Sequence, residues 1–306
     1  MVYDCFTFFS EIDILKQRMQ VLKDVVDRFV VVEATKTFTR MDHPLEFAAH
    51  RDEFAEFEDR IIYVVVDDFP DIDSPWAVEN HQRNCIARGL VGCRDDDTVM
   101  ISDVDEIPNP DTVAKYAGRR GIRILEQLAF TYYLNCIDVR EPIWGLGTRI
   151  MTYADFCHGM DHRFRIHYDE GFIKELNRGT TANKIRMYGH FWNVQNGGWH
   201  FSYIGGVDAI IRKIRSFSHQ EYNLPEFTDP RKVEERMRSG MDLFGDEVHY
   251  RPVLLNDALP KYVLEHQKEY SKYILDGGEL DAREFWKPRT WRENVSMWWD
   301  VVRHKI

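Results

Sequence analysis

The sequence predicts an α/β fold with a mainly parallel central sheet flanked by helices. Three observations predict it: short β-branched runs without polar alternation, helical periodicity in the gaps between them, and a buried run that ends in paired carboxylates. Tyr3 to Phe9 is the first run, apolar, aromatic and short. Ser10-Glu11-Ile12-Asp13 then supplies a capping-box pattern ahead of Ile12, Leu15, Met19, Leu22 and Val26, whose spacing of three and four is that of an amphipathic helix. Phe29 to Glu33 and Ile61 to Val66 read as strands covered on both faces. Ser74-Pro75-Trp76 opens a helix, with serine as cap and proline at the first position, that runs to about Gly89 before a fourth strand at Thr98 to Ser102. In open sheets of this order, ligands sit at the carboxyl ends of the strands.

Further along, Ile122 to Ile150 is strand-like and aromatic, Gly205 to Phe217 is helical, and Pro260 to Leu275 reads as a helix broken by Asp276-Gly277-Gly278. From Thr290 a second capping box, closed by Glu293, precedes an apolar stripe of Trp291, Val295, Trp298 or Trp299, and Val302. Trp286, Trp291, Trp298 and Trp299 stand beside Arg289, Arg292, Arg303 and Lys305. Such a tail either docks on the rest of the chain or across a dimer interface, or lies peripherally on an anionic membrane.

Composition narrows the function. Lys and Arg number 40 against 51 Asp and Glu in 306 residues, a net charge of −11, which repels polyphosphate backbones and argues against nucleic acid as a partner. A diphosphate ligand then needs a cation. With 44% hydrophobic residues the chain can bury a large core, yet no apolar run approaches the roughly 20 residues of a membrane span. The opening Met1-Val2-Tyr3-Asp4-Cys5 lacks the pattern of a secretory signal, so the expected location is cytoplasmic, with the tail as a peripheral membrane contact. Cys5, Cys85, Cys93, Cys136 and Cys157 are odd in number, widely spaced and free of C-x-x-C, as expected of reduced thiols rather than a disulfide framework or zinc knuckle.

The sharpest motif is Ile101-Ser102-Asp103-Val104-Asp105-Glu106-Ile107-Pro108. In an extended strand residues i and i+2 face the same side, so Asp103 and Asp105 can converge on one cation while Val104 points inward. Carboxylates, water and phosphate oxygens suit Mg²⁺ or Mn²⁺ rather than zinc. The plain alternative is a solvated acidic turn before the helix near Asn109-Pro110-Asp111. Nucleotide-sugar glycosyltransferases place D-x-D after a buried strand, and so do phosphatases of the haloacid-dehalogenase type. In the latter the fifth position is Thr or Val, where this chain has Ile107, and the motif opens the fold.

A wider set of blocks favours the transferase. Asp4-Cys5-Phe6-Thr7-Phe8-Phe9-Ser10-Glu11-Ile12-Asp13, Phe29-Val30-Val31-Val32-Glu33-Ala34, Trp76-Ala77-Val78-Glu79-Asn80-His81-Gln82-Arg83-Asn84, the D-x-D block, and Gly197-Gly198-Trp199-His200-Phe201-Ser202 together resemble glycosyltransferase family 17. The resemblance covers residues 3 to about 225 and returns weakly at Leu259-Pro260-Lys261-Tyr262. It implies a GT-A-type fold, an inverting transfer to a saccharide or glycoconjugate hydroxyl, a UDP-sugar donor, most readily UDP-N-acetylglucosamine, and a divalent metal, usually Mn²⁺. The expected division is a catalytic domain over 1–255 and a helical extension over 256–306.

Roles follow as expectations. Asp103 and Asp105 hold the metal, with His219 as a late third ligand. Glu106 steadies the pair, Arg83 reaches the nucleotide, Glu33 binds the nucleoside, and Lys213 touches the diphosphate. Trp199 belongs to the sugar site, and the base is sought in His200 or Glu221. Each has a bland counterpart: a solvated helix charge for Arg83 and Lys213, a salt bridge for Glu33, a core contact for His200, and a hairpin turn for Gly197-Gly198. Two rival readings remain, a D-x-D phosphatase and a glycan-binding protein without turnover.

Overall fold

The computed structural model describes residues 1–72, 74–158, 182, 185–186 and 192–287. Strands β1 (Val2–Phe8), β2 (Arg28–Ala34), β3 (Ile61–Val66) and β4 (Thr98–Asp103) lie parallel in the order β3-β2-β1-β4. The sheet continues through β10 (Arg149–Thr152), antiparallel to β4, then β6 (Arg123–Leu125) and β11 (Trp192–Val194). Side chains of the parallel strands alternate between two cores. Phe6, Phe8, Phe29, Val31 and Met100 join the first, and Cys5, Val30, Val32, Val99 and Ile101 the second. Burial on both faces is the physical reason these strands read as unbroken apolar runs.

Helix α1 (Ile12–Leu22) covers the first face with Ile14, Leu15, Met19 and Leu22, and α2 (Pro75–Asn84), continued as a 3₁₀ turn over Cys85–Leu90, covers the second. The capping box expected at Ser10 does not form. Glu11 is the N-cap residue without a side-chain cap bond, and its carboxylate instead accepts from the Ser10 amide at 2.9 Å. Asn109 does cap the next helix, α3 (Pro110–Tyr116), accepting from Asp111 N at 3.0 Å.

The strand-rich stretch after Ile122 builds a second sheet in the order β13-β8-β7-β12-β5: Tyr250–Pro252, Cys136–Asp138, Gln127–Thr131, Gly198–Ser202 and Glu106–Pro108, with β9 (Ile143–Trp144) against β7. Gly198 at φ 132° lets β12 lie against β5, because a Cβ there would stand 2.1 Å from the Ile107 carbonyl oxygen. The glycine pair thus serves a close backbone approach. Helix α4 (Val207–Ser216) falls where expected and buries Ile210, Ile211 and Ile214 against α5 (Pro230–Ser239).

The helix expected over Pro260 to Leu275 is corrected. Only α6 (Lys261–Glu265) is α-helical, and the rest is turns with a short 3₁₀ segment at Ser271–Tyr273. Its bonds leave the segment instead: Tyr273 O accepts from Leu134 N, and Tyr273 Oη donates to Asp13 at 2.5 Å. Val253, Leu259, Val263, Tyr270 and Ala282 pack into the first core. The tail from Thr290 lies outside the described residues. Among those described, no helix is long and apolar enough to cross a membrane.

Candidate active site

A buried arginine shapes the β4–β5 turn. Arg18, on the core face of α1, pairs with Asp4 of β1 through Nε and Nη2 at 2.8 and 2.6 Å. Its Nη1 donates to the backbone carbonyls of Asp103, Val104 and Glu106 at 3.0, 3.1 and 2.8 Å, and Nη2 donates to Ser102 Oγ at 2.6 Å. One guanidinium therefore holds three carbonyls of the turn in place, while Val104 is buried and the aspartates on either side turn toward a common cavity.

That cavity has a volume of about 330 Å³. Asp103 Oδ1 meets Arg83 Nη2 at 3.1 Å and its Oδ2 meets Arg186 Nη2 at 3.4 Å. Burial pushes its pKa up, but Arg83 and Arg186 outweigh that and hold it well below the usual carboxylate range. Asp105 Oδ2 pairs with Lys213 Nζ at 2.7 Å, and its Oδ1 lies 3.9 Å from His200 Nε2. Its pKa is also lowered: burial opposes ionisation, and the Lys213 ammonium, then His200, overcome it. Glu106 accepts from Asp103 N at 3.2 Å, from Trp144 Nε1 at 2.7 Å and from Arg186. His200 stacks on Trp144 with ring centroids 4.5 Å apart.

The facing wall comes from β1 and the segments after β2 and α4. Phe9 stacks on His43 at 4.2 Å, Thr37 and Phe38 continue the surface, and His219 meets the edge of Trp76 at 4.7 Å. Glu79, bonded to Arg83 at 2.8 Å and to Ser218, joins the two walls.

Of the residues singled out from sequence, Arg83, Asp103, Asp105, Glu106, His200, Lys213 and His219 line this one cavity. Three others do not. Glu33 is sealed beneath it, accepting from Phe47 N at 3.2 Å and Tyr63 Oη at 2.7 Å, and burial pushes its pKa up to about 7 against those bonds. Trp199 is buried with Nε1 donating to the Ala258 carbonyl at 2.6 Å, and Trp76 and Trp144 are the indoles at the cavity. Glu221 is exposed and accepts from His219 Nδ1 at 2.7 Å.

The donor set at Asp103 and Asp105 is oxygen only and ionised, which fits a hard divalent cation once each carboxylate exchanges a guanidinium or ammonium contact for it. His219 does not close on the pair. Among the described residues, the group of three with ligand atoms within 4.8 Å of one another is Asp68, His81 and Cys85, on the far face of α2. Sequence reading passed over Arg18, Arg186, Trp144 and Glu11. For Arg18 a signal existed: a charge within the apolar stripe of α1, matched by Asp4 within an apolar strand.

Residues 1–138 match the model for the family described as Glycosyltransferase family 17. Over that stretch, a little under half of its length, the chain is similar to the family. Proteins named beta-1,4-mannosyl-glycoprotein 4-beta-N-acetylglucosaminyltransferase are 25% identical to this chain, over 293 residues in Mus musculus and 300 in Homo sapiens. These alignments cover 87% and 89% of the chain but 53% and 54% of those proteins, so the chain spans about half their length. Among solved structures, the galactosyltransferase LgtC in complex with donor and acceptor sugar analogs is 9% identical, with a TM-score of 0.36, covering 90% of the chain and 98% of its own. At that score it adds nothing to the assignment.

Proposed function

We propose that the protein is a divalent-metal-dependent, inverting GT-A glycosyltransferase that transfers N-acetylglucosamine from UDP-N-acetylglucosamine to a saccharide hydroxyl. The observation that carries this reading is the pair Asp103 and Asp105, ionised and turned by Arg18 into one cavity with an aromatic and hydroxyl-bearing wall, in a chain whose residues 1–138 match this family's model. The relatives' names supply the sugar.

Charge supports the cation. Glu11, Glu79, Asp103, Asp105 and Glu106 line the cavity with Lys36, Arg83 and Lys213, and Arg186 pairs with Asp103 and Glu106, five carboxylates against four cations. A nucleoside diphosphate entering that balance needs added positive charge. A metal at Asp103 and Asp105 would neutralise the charge that develops on the departing UDP. Arg83 and Arg186 keep Asp103 ionised and aimed, and Lys213, released from Asp105, is placed to meet a phosphate oxygen. Phe9, His43 and Phe38 offer flat surfaces to a base.

The test is thermal stabilisation by UDP, UDP-N-acetylglucosamine, UDP-glucose and UDP-galactose, each with Mn²⁺ and with chelator. A metal-dependent shift greatest for UDP-N-acetylglucosamine is expected. No shift with any of them, or metal-dependent phosphate release from phosphomonoesters lost in Asp103→Asn, overturns the reading.

A further inference from the structure

A second cavity, of about 380 Å³, opens on the α1 side of the same strand ends. It is walled by Ser10, Asp13, His50, Glu53 and Arg212, and it meets the first cavity at Glu11, Asp105, Tyr203 and Lys213, which line both. Hydroxyl, imidazole, carboxylate and guanidinium groups suit a ligand rich in hydroxyls. Tyr203 stands at the junction with φ 56°, a left-handed backbone that a tyrosine rarely adopts, and its ring lies 5.5 Å from Lys213 Nζ.

Within the two cavities almost every carboxylate is engaged. Asp103, Glu106 and Glu79 are bonded to arginines, Asp105 to Lys213, Asp13 to Tyr273 and Lys272, and Glu53 to Lys16. Glu11 differs. One of its oxygens takes the Ser10 amide, and Oε1 lies 3.9 Å from Lys213 Nζ, too far for a hydrogen bond. It is also the one carboxylate, Asp105 apart, that lines both cavities among the described residues.

We propose that the second cavity receives the acceptor saccharide and that Glu11 is the general base. This rests on the transferase reading above. The acceptor oxygen attacks the anomeric carbon opposite the diphosphate, forming the new C–O bond as the bond from that carbon to the β-phosphate oxygen breaks. UDP leaves with the electron pair, and the hydroxyl proton passes to Glu11 Oε1 and then to water. Neither His200, which lines only the first cavity, nor Glu221, which lines neither, spans the junction.

Kinetics of Glu11→Gln and Glu11→Asp, with UDP-N-acetylglucosamine, Mn²⁺ and p-nitrophenyl β-mannoside as acceptor probe, test this. UDP release with water as acceptor is followed as well, because it needs the same deprotonation whichever saccharide is native. Expected for Glu11→Gln is a loss of about 10²- to 10⁴-fold in kcat on both assays, with the donor KM and the thermal shift by UDP unchanged. Glu11→Asp should retain part of the rate. Glu53→Ala and Arg212→Ala should raise the KM for the mannoside several-fold and leave the donor KM alone. A Glu11→Gln enzyme within threefold of wild type, or one that no longer binds UDP, overturns the assignment of the base. Unchanged mannoside KM in both cavity variants overturns the acceptor site. A wild-type protein that fails to bind UDP-sugars overturns the transferase reading itself, a result the Glu11 variants cannot mimic.

Discussion

The two walls of the cavity are built on different physical terms. On the β4–β5 side, Arg18 is buried and spends its donors on Asp4, Ser102 and three carbonyls, so the aspartates are positioned from behind by groups that never reach the cavity. On the opposite rim His219 and Glu221 are exposed, bond mainly to each other, and sit on a short 3₁₀ turn without a buried residue. The first wall is fixed before any ligand arrives. On the second, His219 rests against Trp76 and Glu221 rather than on Asp103 or Asp105.

The largest expected effect breaks the fixed wall. Arg18→Met leaves Asp4 buried without its partner, and loss of one member of such a pair costs about 3–5 kcal/mol, to be read from urea unfolding. A loss under about 1 kcal/mol would show that the turn holds its shape unaided. Next, Asp105→Asn should retain the fold but lower turnover of UDP-N-acetylglucosamine by about 10²-fold or more, as for removal of a group that stabilises developing charge. Unimpaired turnover would place the metal elsewhere.

Glu33 sharpens the contrast from beneath the cavity. Its pKa is raised from 4.5 to about 7, so the native state binds the extra proton, and its contribution is complete below about pH 4.5 and lost as pH rises through 7. That rise corresponds to about 3 kcal/mol. Glu33→Gln should flatten the pH dependence of unfolding between pH 4.5 and 7, and an unchanged slope would assign it to other groups. The smallest effect belongs to the exposed rim: His219→Ala should alter stability by less than about 0.5 kcal/mol while raising the KM for Mn²⁺ a few-fold. A large loss of stability would mean the rim is as fixed as the turn.

The parallel half of the fold was legible because both faces of β1 to β4 are buried, which writes each strand as an unbroken apolar run. The D-x-D pair was legible for the same reason, since Val104 continues the apolar pattern between two acids. Tertiary partners were not. Trp199 and Trp144 are both indoles on short strands, and only the pairing of β9 with β7 decides that Trp144 meets His200 and Glu106. Glu33 ends its strand as a ligand-binding acid would, but the turn of helix after Leu45 folds over it and supplies Phe47 N. The segment after Pro260 carries helical spacing in Tyr262, Val263, Tyr270 and Ile274, and packing against the first core overrode it.

Trp144 also makes the cavity optically addressable. Its ring is stacked on an imidazole and its nitrogen donates to a carboxylate, inside the space a donor would fill, whereas Trp199 is shut away in the core. Indole emission responds to neighbouring charge, so nucleotide entry should change the fluorescence of the native chain without any label, and Trp144→Phe should reduce that change to the part that Trp76, the other indole lining the cavity, supplies.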